Sequence, residues 1–187
     1  MYRGVEIIAE VKTESPFGYT SKNTWDELFK IADTIGDTIS IHTDPHWGGS
    51  FDLIKKAKSL TDKPILAKGI HSDDSQIDQA IQAGADWVLV VGRLPQIYQD
   101  QYLIEPNSLA ELKNIPSNYR IVWNSRDLKT GGNKKEIFSE ARNIHPGWLC
   151  QASNVCKLSD INPKANAVLI GTHLIDIYQE LPKDSLA

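Results

Sequence analysis

Cysteine is scarce in this sequence: 187 residues contain only Cys150 and Cys156. Two thiols do not make a disulfide framework for a chain of this length, and reduced, inert structural thiols are expected. Long apolar runs are missing too. The strongest, such as Trp87 to Val91, extend five or six residues, where a bilayer crossing takes about 20. No membrane-spanning helix is expected. Neither sign of charge dominates: 20 Lys and Arg stand against 24 Asp and Glu, for a formal net charge of -4. With no extended basic patch, nucleic acid is a poor partner. Glu6 and Glu10 interrupt what would be the apolar part of a signal peptide, so a cytoplasmic location is expected. His42 and His46 are four apart, but a strand end and Pro45 stand between them. The helical geometry of a zinc-binding pair is therefore not expected, and no metal is assigned.

What is present is enough apolar material, 41% of residues against 24% charged, for one substantial core. A single domain over residues 1–187 is expected, with no low-complexity linker to divide it. Strand-length apolar runs recur at Val5 to Val11, Ile39 to His42, Pro64 to Ala67, Trp87 to Val91, Tyr102 to Ile104, Arg120 to Trp123, Gly147 to Cys150 and Ala167 to Ile170. They are short, β-branched and nearly continuous, as buried parallel strands are. Helical periodicity fills several gaps: Trp25, Leu28, Phe29 and Ile35; Phe51, Leu53, Ile54 and Ala57; Ile77, Ala80, Ile81 and Ala83. Gly36 and Gly84 follow the first and third of these, where a helix end calls for positive φ. Eight strands alternating with helices fit an α/β fold of the (β/α)8 TIM-barrel type.

Such barrels run to about 250 residues, so this one must be reduced in size, with shortened crossover helices. The stretch between Val91 and Tyr102, with Gly92 and Pro95, leaves room for a turn at most. The stretch after Cys150 holds little more than one helical turn, over Lys157 to Ile161. A barrel short of helix exposes apolar strand, which suggests cover by a second copy, so monomer and homodimer both stay open.

Barrel enzymes carry their chemistry at the C-terminal ends of the strands. In the first strand Glu10 and Lys12 alternate by two and face the same side, followed by Ser15-Pro16. The third strand ends in Ala67-Lys68-Gly69, the fifth in Ile104-Glu105-Pro106 and the sixth in Asn124-Ser125-Arg126-Asp127-Leu128. Buried charges are costly, so a carboxylate and an ammonium on one inward face point to function.

These runs resemble the indole-3-glycerol phosphate synthase family. The resemblance is carried by Ile7-Ile8-Ala9-Glu10-Val11-Lys12 with Ser15-Pro16, Ile41-His42-Thr43-Asp44 leading to Gly48-Gly49-Ser50, and Pro64-Ile65-Leu66-Ala67-Lys68. Ala83-Gly84-Ala85-Asp86, Leu103-Ile104-Glu105, Asn124-Ser125-Arg126-Asp127-Leu128 and Val168-Leu169-Ile170-Gly171 follow in family order. The resemblance implies a carbon-carbon lyase of tryptophan biosynthesis. Its phosphorylated small-molecule substrate, 1-(2-carboxyphenylamino)-1-deoxyribulose 5-phosphate, closes to an indole with loss of carbon dioxide and water, without cofactor or metal. It also implies roles. Lys68 is the acid of ring closure, Lys12 with Glu10 or Glu105 serves dehydration, and Asn124 completes the catalytic set. Ser15, Pro16, Trp47 and Arg126 bind substrate, Arg126 by gripping a carboxylate. Ser153, Asn154, Gly171 and Thr172, in the loops after the seventh and eighth strands, bind phosphate, where backbone N–H groups and a helix N-terminus favour an anion.

Three features depart from the family pattern. The first strand starts almost at Met1, so the N-terminal extension that covers the substrate pocket is expected to be missing. Lys-Asp-Phe is replaced by Lys68-Gly69-Ile70, and Glu-Ser-Gly by Ala152-Ser153-Asn154, which removes a carboxylate. An alternative reading is therefore a catalytically silent, phosphate-ligand-binding subunit or regulator of a tryptophan-pathway enzyme. A third, a barrel isomerase acting on phosphoribosyl compounds, is disfavoured by Asn124-Ser125-Arg126.

Overall fold

The structure, a computed structural model, describes residues 2, 4–98 and 100–182. Eight parallel strands close into a barrel in chain order: β1 (Glu6–Val11), β2 (Thr38–His42), β3 (Ile65–Lys68), β4 (Trp87–Val91), β5 (Tyr102–Glu105), β6 (Ile121–Asn124), β7 (Leu149–Ala152) and β8 (Ala167–Ile170). Pairing of β1 with β8, Glu6 to Ala167 through Ala9 to Ile170, shuts the ring. Around it lie α1 (Trp25–Ile35), α2 (Phe51–Lys58), α3 (Asp74–Gln82), α4 (Leu109–Leu112), α5 (Phe138–Ile144) and α6 (Leu174–Glu180).

Alternation along each strand divides the apolar residues into two clusters. One lies between sheet and helices and takes Ile7, Ala9 and Val11 of β1 with Ile39 and Ile41 of β2. The other fills the barrel, with Ile8, Leu66, Leu89, Leu103, Val122, Cys150, Ala167 and Leu169 in contact. Positions two residues beyond these inward side chains form the upper rim. The sequence places Glu10, Lys68, Val91, Glu105, Asn124 and Gly171 there, and Ala152 after Cys150.

Helix ends follow local chemistry. Thr24 caps α1 with a reciprocal box, its Oγ1 accepting from the Glu27 backbone N–H while the Glu27 carboxylate accepts from the Thr24 backbone. After α3, Gly84 has φ +104°, the positive value expected. Gly36 does not: it is extended, with φ -79°. Space is what requires glycine there, because a β-carbon would lie 2.9 Å from Ala32 O, Ala9 Cβ and Thr38 O.

The barrel is reduced where expected. Among the described residues no helix joins β4 to β5, α4 has four residues, and one 3-10 turn, Leu158–Asp160, joins β7 to β8. The expected exposure of apolar strand does not follow. Val88, Val90, Tyr102 and Ile104 on the outer face are at most 4% exposed, and Ile97, Tyr98, Leu109 and Ile115 pack against their cluster. The short connection covers the strands with its own side chains. No described helix is long and apolar enough to cross a membrane.

Candidate active site

The polar residues of the rim converge. Glu10 is 3% exposed, and its Oε1 accepts from Lys68 Nζ at 2.8 Å and from His42 Nε2. Its Oε2 lies against Gly171, where a β-carbon would fall 1.9 Å from that oxygen. Burial would raise the Glu10 pKa, but Lys68, His42 and Lys12 outweigh it and hold the group well below the usual carboxylate value. Glu10 is therefore a fixed anion.

Glu105 behaves in the opposite way. It is 2% exposed, and burial raises its pKa despite the opposing effects of Lys68 and of a hydrogen bond from Asn124 Nδ2 at 2.9 Å. Two carboxylates on one rim are thus pushed apart, the pattern that separates a spectator anion from a proton-transfer group. Lys12, at the mouth above Glu10, has its pKa lowered by burial, with Glu10 opposing. Its Nζ donates to Thr172 Oγ1 at 3.3 Å.

The loops are built to hold these groups. Asn124 Oδ1 accepts from the Arg126 backbone N–H at 3.0 Å and from Ser153 Oγ at 2.7 Å. One amide thereby ties the loops after β6 and β7 to Glu105. Ser153 and Asn154 both have positive φ, 65° and 57°, a strained conformation for which Asn is better suited than Ser. After β2, a 3-10 turn over Pro45–Trp47, capped by the Asp44 side chain, swings Trp47 over the rim. Trp47 stacks on His42, with ring centroids 5.8 Å apart and planes at 7°, and Phe17 meets it edge-on at 6.2 Å.

Two adjoining cavities open here. The first is a polar basin walled by Glu10, Lys12, Arg126, Ser153, Asn154, Gly171 and Thr172, with His173 and Cys156 at its edge. The second is an apolar recess walled by Ile70, Leu89, Val91, His42 and Glu105. Trp47, Lys68, Asn124 and Leu128 belong to both. Such a site suits a ligand with an anionic end, an apolar end, and a reacting centre at the seam beside Lys68. Among the described residues no three His, Cys, Asp or Glu side chains gather as a metal ion requires.

The family model for indole-3-glycerol phosphate synthase matches residues 2–180. The chain belongs to the indole-3-glycerol phosphate synthase family. The indole-3-glycerol phosphate synthase of Lachnospira eligens is 30% identical over 201 aligned residues, covering 92% of this chain and 75% of that protein. The one from Rhodopirellula baltica is 35% identical over 147, covering 67% of this chain and 56% of that protein. Among solved structures, a 3-hexulose-6-phosphate synthase superposes with a TM-score of 0.67 at 14% identity, covering 95% of this chain and all of that one. At that identity the likeness shows the barrel fold alone.

Of the positions that the synthase resemblance singles out, the basin and recess gather Glu10, Lys12, Trp47, Lys68, Glu105, Asn124, Arg126, Ser153, Asn154, Gly171 and Thr172. Ser15 and Pro16 line neither. Ser15 Oγ turns back on its own loop to accept from the Phe17 N–H at 3.1 Å, Pro16 is exposed, and Phe17 is the residue that reaches the basin. His42 is the member that sequence reasoning missed. As a site residue the sequence suggests it for metal binding with His46 alone, yet strand alternation gives it an inward position on β2. Lys134 was missed as well. It is half-buried beyond β6, with its Nζ 4.8 Å from the Trp123 ring, and its charge acts on Glu105. Cys150 is buried, and burial pushes its thiol pKa up, as suits an unreactive core thiol.

Proposed function

We propose that this chain catalyses the reaction for which its family is named, converting 1-(2-carboxyphenylamino)-1-deoxyribulose 5-phosphate to indole-3-glycerol phosphate, carbon dioxide and water. The observation that carries the proposal is the seam. Lys68, the acid position of the family, stands where a polar basin meets an apolar recess, as a sugar phosphate joined to an aromatic ring requires.

In this reading the ring carbon bearing the carboxylate attacks the ribulose carbonyl while Lys68 gives a proton to the carbonyl oxygen. Glu10, ionised and in contact with Lys68, balances the ammonium that makes this possible. Carbon dioxide then leaves with its bonding electrons returned to the ring. In the dehydration, Lys12 protonates the departing hydroxyl as the ring nitrogen's electron pair pushes it out, and Glu105 takes a proton from the adjoining C1′ methylene, which forms the indole double bond and leaves the nitrogen its hydrogen. The raised pKa of Glu105 supports its choice over Glu10, whose Oε1 is engaged twice. Arg126 serves the substrate carboxylate and Trp47 the ring, while Ser153, Asn154, Gly171 and Thr172 hold the phosphate. Ser15 and Pro16 act through the fold of their loop.

The test is to incubate the purified protein with the substrate and follow indole fluorescence. Product is expected. Absence of product with substrate bound in calorimetry would replace this reading with that of a silent ligand-binding subunit, which the buried Ala152, in place of a family carboxylate, would then explain.

A further inference from the structure

We propose that His42 is a positioning residue for this reaction. By donating Nε2–H to Glu10 Oε1, it fixes the carboxylate that holds Lys68 in line as proton donor. The inference rests on the synthase reading above, but its geometric half stands apart from that reading. Glu10 Oε1 receives both His42 Nε2 and Lys68 Nζ, so one oxygen couples the imidazole to the acid. Oε2 fills the space left by the missing side chain of Gly171. Without His42, Lys68 is the remaining side-chain donor to that oxygen.

His42 is placed by its ring and by its backbone. Its ring stacks on Trp47, its backbone carbonyl accepts from the Ser50 N–H at 3.1 Å, and its strand neighbour across the sheet is Lys68. His42 is 5% exposed, and its Nδ1 is buried with no hydrogen-bond partner. A carboxylate is only an acceptor, so Nε2 must carry the proton and a neutral ring must leave Nδ1 bare. An unpaired buried nitrogen costs free energy that an apolar side chain of similar size would avoid. Its presence is accounted for by what Nε2 does. Glu10 from β1, Lys12 just after it, Lys68 from β3 and His71 beyond β3 are the charged and titratable groups that act on the ring, and Glu105 from β5 shares its recess. Burial outweighs Glu10 and keeps His42 neutral at physiological pH.

Two substitutions and one spectrum test this. His42→Gln keeps an N–H donor near the place of Nε2, whereas His42→Leu fills the space without one. His42→Leu is expected to lower kcat on the order of 100-fold, as loss of a well-set general acid does, with KM within about 3-fold of wild type. The Glu10 carboxyl of this variant, followed by carbon-13 NMR, should titrate at higher pH than in wild type, because its ionised form has lost a hydrogen bond. His42→Gln should restore most of kcat and the wild-type titration of Glu10. Equal losses in both variants, or none in either, would overturn the proposal. Independently of turnover, nitrogen-resolved NMR of the wild-type protein should show His42 as the Nε2–H tautomer between about pH 6 and 8. The Nδ1–H tautomer would overturn the proposal on its own. If wild-type protein makes no product, the synthase reading fails and the role in this reaction fails with it. The spectrum then still decides whether His42 holds Glu10.

Discussion

Gly171 and Glu10 occupy one space between them: a β-carbon on Gly171 would lie 1.9 Å from Glu10 Oε2 and 2.8 Å from its Cδ. The backbone just after β8 and the carboxylate of β1 therefore fit only because residue 171 has no side chain. Gly171→Ala should push Glu10 out of its contact with Lys68. A loss of about 1–3 kcal/mol in stability is expected, typical of overpacking, together with a fall in kcat/KM on the order of 10- to 100-fold. Thermal melts and steady-state kinetics check both. An active, fully stable variant would show that Glu10 can relocate without consequence.

Glu10 also gives the fold a dependence on pH whose sign can be worked out. Its pKa in the folded protein lies below its ordinary value of 4.5. The unfolded chain therefore takes up this proton first as pH falls, and the stability that ionised Glu10 contributes, present at neutral pH, is lost below about 4.5. Glu10→Gln should be less stable than wild type at pH 7 by about 2–3 kcal/mol, since Lys68 loses its buried counter-ion. Denaturant melts across pH should show the gap narrowing in acid. A constant gap would mean that the charge of Glu10 contributes nothing.

Glu105 should do the reverse. Its folded pKa is raised, so the unfolded chain releases its proton first, and Glu105 costs stability as pH rises through the folded value. Glu105→Gln removes that cost, and the variant should gain on wild type as pH is raised. Its kcat should fall on the order of 100- to 10,000-fold, as loss of a general base does, and the wild-type acid limb, set above the ordinary 4.5 of a glutamate, should vanish. Retention of both the rate and the limb would remove Glu105 from the proton-transfer role.

Asn124 joins Glu105 to Ser153 through one amide group. Asn124→Ala should free both and leave the positive-φ turn at Ser153 and Asn154 without its tie. A kcat loss is expected, with a rise in KM of roughly 10-fold if that turn holds the phosphate. Kinetics with an unchanged KM would place phosphate binding elsewhere.

Much of this was legible in the sequence, for reasons that individual residues make clear. The barrel followed from strand-length runs such as Trp87 to Val91 and Ala167 to Ile170, whose bounds the structure reproduces. The inward aim of Glu10 follows from alternation alone. The same alternation places His42 on the inner face, but a histidine weighed only as a metal ligand conceals that. Contacts across the barrel were not legible. Nothing local in Glu10 or Glu105 tells that one meets two nitrogen donors and the other mainly apolar wall, and the opposite pKa shifts come from there. Ser15 shows the limit on the loop side, since its hydroxyl is consumed by a turn two residues long. Gly36 shows it in the backbone, where close packing, not positive φ, excludes a side chain.

The central claim is that Lys68 supplies the proton for ring closure, and comparison of Lys68→Ala with wild type tests it most directly. Product formation would be followed by indole fluorescence, and substrate affinity by calorimetry on the same preparations. A kcat lower by at least about 100-fold with Kd within about 3-fold is predicted, because the interaction removed is made in the transition state. Unchanged turnover, or weakened binding with kcat intact, would contradict it.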